Sequence, residues 1–417
     1  MRIALATEGT RGDVYPLLAL GDSLAAAGHR VVVCAPPDFR ASAAERGLEF
    51  RAVGRSIREF LAERADVLLG GAWRLVRQSS RYLDESLEAQ FRDLPRATEG
   101  AELIVAAGAQ LAAASIAELS RTPYRYVAYC PVLLPSAEHP PVFVPRQTLP
   151  RWVNRLAWRG TIALYDNVLG RRINAQRAHL GLAPVGDVHA HLLTRRPLLA
   201  ADAALAPRPA DCDFAVEQVR GLHPQGGEAL PAKLEAFLDA GPPPVYLGFG
   251  SMPDPHPAAT TRAVLDAVGA VGCRAVISRG WAGLGDGPLP GNVFVTGPVS
   301  HPRLFPRVAA AVHHGGAGTT TAVARAGVPQ IVVPHIADQF YWGRRVSLLG
   351  LGPPPLPRAK LTAPRLAAAL AAILDNELLA ERAREFGARL LAALEDAPDP
   401  ARRLVDALPG RGSPALG

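Results

Sequence analysis

Residues 312–321 read VHHGGAGTTT, an apolar strand running into a glycine-rich turn that opens a helix. Such a run fits a parallel α/β sheet, where each strand hands over to a helix through a short loop. Glycine lets backbone approach a ligand without a Cβ clash. The free N–H groups and the dipole of the helix start then favour an anion, typically phosphate. Thr319 and Thr320 add hydroxyl donors, and His314 can donate from its ring. A tight turn with satisfied histidines would carry the same letters, so the run alone leaves both readings open. It lacks the GK[ST] ending of a P-loop and the GxGxxG of a dehydrogenase.

The strand–loop–helix pattern occurs in two blocks. Strands are expected over residues 2–7, 29–35, 103–107 and 124–129, with helices over 17–27 and 38–46. An amphipathic helical stretch covers about 55–95. Residues 130–150 are rich in proline and aromatics, and Trp152, Trp158 and Tyr165 follow on helices. That stretch either walls an apolar pocket or packs as a plain helix pair. Proline and glycine multiply from 195 to 244. The pattern then restarts, with strands over 245–249, 273–278, 293–296, 308–312 and 330–333 and a helix over 258–271. Two helices near 363–374 and 377–394 close it. The expected division is a domain over 1–205, a linker over 206–243, a second domain over 244–395 and a tail over 396–417. At 417 residues, two domains each have enough chain for a core.

Charge excludes less than it first suggests. The chain carries 45 basic and 38 acidic residues, a net +7. Only Lys233 and Lys360 are lysines; the arginines are spread along the chain, not massed in one run. Nucleic acid is therefore not the expected partner. Cys34, Cys130, Cys212 and Cys273 lie far apart without a CxxC pair, which argues against a zinc site or disulfide framework and for a reduced compartment. No apolar stretch approaches the ~20 residues of a membrane span. A soluble, cytoplasmic protein is the expectation.

Three more segments carry chemistry. PHIADQ at 334–339 follows the next strand, so Asp338 and Gln339 lie on the same sheet edge as the glycine run. A carboxylate beside a carboxamide accepts from and donates to adjacent hydroxyls, which a sugar presents. Asp338 reads equally as a helix N-cap. Gly250-Ser251 ends the first strand of the second block, where a hydroxyl could reach a phosphate or form a simple turn. The loop GTRGD at 9–13 supplies Thr10, Arg11 and Asp13 at the edge of the first block. Asp13 reads as a general base or as the N-cap of a helix starting near Tyr15, and Arg11 as a phosphate ligand or loop support.

Residues 292–350, NVFVTGPVSHPRLFPRVAAAVHHGGAGTTTAVARAGVPQIVVPHIADQFYWGRRVSLLG, closely resemble the donor-domain signature of the family-one glycosyltransferases. GTRGDVYP at 9–16, GFGSM at 248–252 and SRGWAGL at 278–284 match the same group, nearest to glycopeptide-antibiotic and sterol glycosyltransferases. Residues 55–240 are only loosely similar. The resemblance implies a GT-B fold: two Rossmann-like domains facing across a cleft, the first for the acceptor and the second for the nucleotide-sugar. The last helix would cross back onto the first domain. It implies donor diphosphate binding by His314, Gly316, Gly318 and Thr319, with Ser251, Thr10 and Arg11 assisting. Asp338 and Gln339 would hold the donor sugar. Trp281 or the Pro298-Val299 segment would meet the base, and Asp13 would be the catalytic base.

The implied reaction is inverting and needs neither metal nor cofactor. The DxD at Asp211-Cys212-Asp213 falls in the expected linker, where the family has a structural turn. His139, His189 and His191, in the variable middle, read as solvated surface residues more readily than as acceptor contacts. The implied co-substrates are a TDP- or UDP-sugar and a bulky apolar acceptor such as a polyketide, macrolide, glycopeptide or lipid. Rival readings are a nucleotide-sugar epimerase, a non-catalytic partner protein of the same fold, and a lipid glycosyltransferase in peripheral contact with a membrane. The arginines and tryptophans from Arg146 to Arg172 hint at the last. Oligomeric state is not legible.

Overall fold

The computed structural model describes residues 1–57, 59, 72–223 and 228–406. The first sheet holds β1 (Arg2–Glu8), β2 (Arg30–Ala35), β3 (Glu49–Ala52), β4 (Leu103–Gly108), β5 (Tyr124–Ala128), β6 (Leu198–Ala200) and β7 (Glu217–Val219). Its spatial order is β3-β2-β1-β4-β5-β6-β7. Between the strands run α1 (Arg11–Ala26), α2 (Arg40–Ala44), α3 (Ala72–Ala97) and α4 (Ala113–Ser120). After β5 come α5 (Arg151–Leu164), α6 (Gly170–His179) and α7 (Val188–Leu193).

The second sheet holds β8 (Val245–Gly248), β9 (Ala275–Ser278), β10 (Val293–Thr296), β11 (Ala310–His313) and β12 (Gln330–Val332), ordered β10-β9-β8-β11-β12. Its helices are α8 (Ala232–Asp239), α9 (Pro257–Val271), α10 (His301–Leu304), α11 (Ala317–Arg325), α12 (Gln339–Leu348), α13 (Ala363–Leu374) and α14 (Glu377–Asp396). A last helix, α15 (Pro400–Asp406), follows.

Every ladder is parallel. The central strands are buried on both faces, so they read as unbroken apolar runs: Ile3, Ala4, Leu5 and Ala6 are fully buried, as are Val245 and Leu247. Strand order reverses between β1 and β4 in one sheet and between β8 and β11 in the other. Such switch points open crevices at the strands' C-terminal ends. Thr10–Asp13 lies at the first, and the loops around Gly250 and His314 lie at the second.

Several boundaries differ from the sequence expectation. α1 begins at Arg11, not 17, because Thr10 caps it and Asp13 closes a capping box from the third helical position. Asp13 is therefore not itself the N-cap. The sheet takes β7 from the stretch read as linker, so the first domain runs past Val219. Of the helix expected from about 55, residues 58 and 60–71 lie outside the described residues, as do 224–227 of the expected linker and 407–417 of the tail. The described part of the tail, α15, packs Ala401 and Leu404 into the core beneath α1.

One apolar cluster is continuous between the domains, joining Val132, Leu134 and Leu205 to Tyr341, Trp342 and Val346. Polar ties flank it. Arg325 forks onto Asp202 at 2.8 and 2.9 Å, and Arg345 Nε donates to the Leu205 carbonyl at 2.7 Å.

Candidate active site

Asp13 stands at the mouth between the sheets because the capping box holds it there. Its Oδ2 accepts from the Thr10 N–H at 2.8 Å, and the Tyr129 hydroxyl donates to its carbonyl at 3.0 Å. Gly9, at φ 138°, lets the chain turn there; a Cβ would stand 2.2 Å from the Asp13 carboxylate. Burial pushes the carboxyl up to about 7, against the Thr10 hydrogen bond, and the charge of Asp338 adds to the rise. A carboxylate so placed is half-ionised near neutrality, which suits a general base.

Asp338 comes from the other domain, at the start of α12. It occupies the N-cap position, yet its side chain makes no cap bond. Oδ2 instead accepts from Trp342 Nε1 at 3.0 Å, one turn along the same helix. Burial pushes this carboxyl up to about 6, with the Trp342 bond opposing. The preceding Ala337 sits at φ 54°, a conformation that L-residues seldom adopt. Gln339 is buried and already engaged: its Oε1 accepts from the N–H groups of His335 at 2.7 Å and Ile336 at 3.1 Å. Its amide therefore shapes the loop that aims Asp338.

The glycine run makes the strand-to-helix turn expected of it. Gly316 caps α11, and Gly318 and Thr319 lie in its first turn. Thr320, in contrast, is fully buried and returns its hydroxyl to the Gly316 carbonyl at 2.9 Å, so it is not a ligand donor. The His314 ring lies between two glycines: an added Cβ would stand 2.5 Å from its Nε2 at Gly316 and 3.0 Å from its Cε1 at Gly250. Burial and the neighbouring histidines push it down to about 3, so the ring is neutral at pH 7. Its Nδ1 is buried with no hydrogen-bond partner among the described residues, the condition that a bound polar group would relieve.

Ser251 is buried at the end of the β8 loop. Trp281 follows β9 and donates its backbone N–H to the Gly250 carbonyl at 2.9 Å. Pro298 and Val299 follow β10; Pro298 is exposed, whereas Val299 packs against an apolar cluster. Arg11 is the first residue of α1 and half-buried. The structure thus gathers the loops after β1, β8, β9, β10, β11 and β12 on facing edges.

Asp211 of the DxD accepts from Ser136 Oγ at 2.6 Å, the Ala137 N–H at 3.0 Å and Arg151 at 3.1 Å, which is a structural use. His139 and His189 are buried, not solvated. They belong to a ring cluster in which Trp158 contacts both and Tyr341 of the second domain meets His139 at 5.9 Å. His191 is partly buried against Ser115 at 3.0 Å. Sequence reasoning also missed His313, Gln330 and Trp342. His313 accepts from the Gly315 N–H at 3.0 Å and meets Gln330 at 2.9 Å, fixing the turn from beneath. Trp342 was signalled by its place four residues after Asp338; Gln330 had no signal.

Comparison with known proteins accounts for the whole chain. Residues 3–134 match the glycosyltransferase family 28 N-terminal domain. Residues 262–405 match the C-terminal domain of proteins like erythromycin biosynthesis protein CIII. A vancomycin aglycone glucosyltransferase of Amycolatopsis orientalis is 40% identical over 98% of both chains. The chain belongs to this family of glycosyltransferases. A sterol 3-beta-glucosyltransferase of Arabidopsis thaliana is 32% identical over 91% of this chain and 64% of its own. Among solved structures, the glycotransferase of kitacinnamycin superposes with a TM-score of 0.70 at 18% identity, over 97% of both chains. Glycosyltransferase VinC in complex with dTDP gives 0.67 at 21% identity, over 97% of this chain and 98% of that one. The glycosyltransferase therefore has the GT-B fold, with the 7-stranded and 5-stranded sheets as its two halves. Among its described residues no helix is long and apolar enough to cross a membrane.

Proposed function

We propose that this glycosyltransferase moves a sugar from a nucleoside diphosphate to a hydroxyl of a bulky, largely apolar acceptor, with inversion and without a metal. The observation that carries the reading is Asp13: a half-buried carboxyl held by the Thr10 N–H, pushed up to about 7, across the domain mouth from Asp338 and the glycine-rich turn. In this reading Asp13 takes the acceptor proton as the hydroxyl oxygen attacks the anomeric carbon. The bond to the diphosphate oxygen breaks on the opposite face, so one displacement inverts the centre. The N–H groups at the start of α11, the Thr319 hydroxyl and the neutral His314 ring receive the departing charge. Helix-dipole stabilisation of this kind takes the place a cation fills in other transferases. Asp338 accepts from the sugar hydroxyls.

Relatives whose names specify vancomycin aglycone and dTDP-epi-vancosamine support a glycopeptide acceptor and a thymidine diphosphate donor, with a uridine diphosphate donor the alternative that the test separates. The test is a thermal-shift panel of UDP, TDP, UDP-glucose and TDP-glucose with chelator present, followed by transfer to vancomycin aglycone. A shift with one nucleotide and a product of inverted anomeric configuration support the proposal. Retained configuration, or strict dependence on Mg²⁺ or Mn²⁺, overturns it.

A further inference from the structure

The loop after β8 carries Ser251 and the loop after β12 carries Asp338, and neither has regular structure of its own. Side chains set how far apart the two loops stand. Gln339 Nε2 donates to Met252 Sδ at 3.3 Å, and the His335 ring stands edge-on to Phe249 at 5.1 Å. A thioether is a weak acceptor and a ring pair has a broad optimum, so both contacts adapt easily. The directional tie is Arg358, which follows the proline-rich return from α12. Its N–H donates to the Pro334 carbonyl at 2.9 Å, and the Leu356 N–H to the Val332 carbonyl at 2.9 Å. The backbone of residues 356–358 thus lies along the end of β12. The guanidinium reaches the other loop. Its Nη2 donates to the Asp254 oxygens at 2.8 and 3.0 Å and to Thr260 Oγ1 at 2.5 Å.

Asp254 has a local use that needs no arginine. It accepts from the His256 N–H at 2.8 Å and from Thr260 Oγ1 at 2.7 Å, which serves the start of α9. Its side chain is only 1% exposed, and the arginine comes from 104 residues away. A charge-assisted bond to a nearly buried carboxylate fixes direction as well as distance. Ala337, at φ 54°, lies between the anchor at Pro334 and Asp338. A residue so strained persists only where its surroundings over-determine it.

We propose that Arg358 is a positioning residue: through Asp254 it sets the distance between the Ser251 loop and the Asp338 loop, so that one ligand spans both. The proposal rests on the transfer reading for what the loops do, the first serving the diphosphate and the second the sugar. Hydrogen exchange on the ligand-free chain tests the tie. Calorimetric titration with TDP and TDP-glucose, or with UDP and UDP-glucose where the wild type prefers uridine, tests the spacing. Arg358→Ala should speed exchange together at the Met252 amide in one loop and the His335 and Ile336 amides in the other, while β8 and β11 stay protected. It should weaken the nucleotide-sugar about tenfold and the free nucleotide less than about threefold, because only the former bridges both loops. Arg358→Lys should fall between. Arg358 is 26% exposed, so millimolar guanidinium should enter its place and restore Arg358→Ala toward wild type. Arg307→Ala breaks the Arg307–Asp239 pair at the opposite edge of the same sheet and should leave the mouth amides and both affinities unchanged. Unchanged exchange in either loop, equal losses for the two ligands, or a like loss in Arg307→Ala overturns the proposal. Loosening of both loops by Arg358→Ala in a chain whose wild type binds no nucleotide upholds the tie and overturns the transfer reading instead.

Discussion

Asp13 uses one carboxylate for two tasks, closing the capping box of α1 and facing Asp338 across the mouth. The two tasks separate on substitution. Asp13→Asn keeps an oxygen for the Thr10 N–H, so α1 stays capped, but it cannot take a proton. Turnover should fall about 10²- to 10⁴-fold while nucleotide binding, read by calorimetry, persists; near-normal turnover would remove Asp13 from the chemistry. In the proposed reading Asp13 is the base, and with its carboxyl pushed up to about 7, wild-type kcat/KM should fall as pH drops below about 7. Stability runs the other way. A carboxyl raised by burial contributes stability that is full below its unfolded value near 4 and lost as pH rises through about 7. Asp13→Asn should therefore unfold at a higher temperature than wild type at pH 8 and show little difference at pH 4. The residue types were legible in the sequence: aspartate after the first strand, histidine and glycines after the fourth strand of the second block. Their engagement was not. Nothing in the letters distinguishes Thr319 from Thr320, yet only the fold turns the Thr320 hydroxyl back onto Gly316.

The glycine run is an element whose shape comes from below. Gly315 sits at φ 90°, and a Cβ there would stand 2.6 Å from Val332 and 3.0 Å from the Gln339 carbonyl. Gly315→Ala adds both left-handed strain and a clash with β12, so it should cost about 2 kcal/mol and raise the donor KM sharply. Unchanged denaturant midpoint and KM would mean the turn adapts. On α12, Trp342→Phe removes the donor to Asp338 while keeping an aromatic in the core. The Asp338 carboxyl should then rise further, and donor KM should grow about tenfold with kcat less affected, measured against nucleotide-sugar concentration. Strand positions were readable because buried parallel strands are unbroken apolar runs. β3, β6 and β7 were not: Glu49–Ala52 is a half-exposed edge strand, Leu198–Ala200 has only three residues, and Glu217–Val219 pairs only at the opposite sheet edge. The start of α1 was missed for a related reason: Arg11, Gly12 and Pro16 look like loop, and only the Thr10–Asp13 box makes them helix.

At the scale of the molecule, the site exists only when the two sheets hold one pose, because Asp13 and Asp338 come from different domains. Apolar packing between Leu134, Leu205, Tyr341 and Trp342 supplies adhesion but little direction. Direction comes from Asp202, just after β6, and Arg325, the last residue of α11. Their fork ties the first domain to the helix whose other end forms the glycine-rich turn. Asp202 is almost fully buried and also accepts from the Gly221 N–H at 2.8 Å. Asp202→Ala leaves a largely buried guanidinium without its carboxylate, a loss of about 3 kcal/mol for a buried pair. Because that loss falls on the domain contact, calorimetry should resolve two unfolding transitions where the wild type shows one. Nucleotide affinity, which in the proposed reading rests on the second domain, should stay close to wild type while kcat drops. A single unfolding transition with unchanged kcat would mean that the apolar seam alone fixes the pose, and that the ion pair is dispensable to the alignment of Asp13 with Asp338.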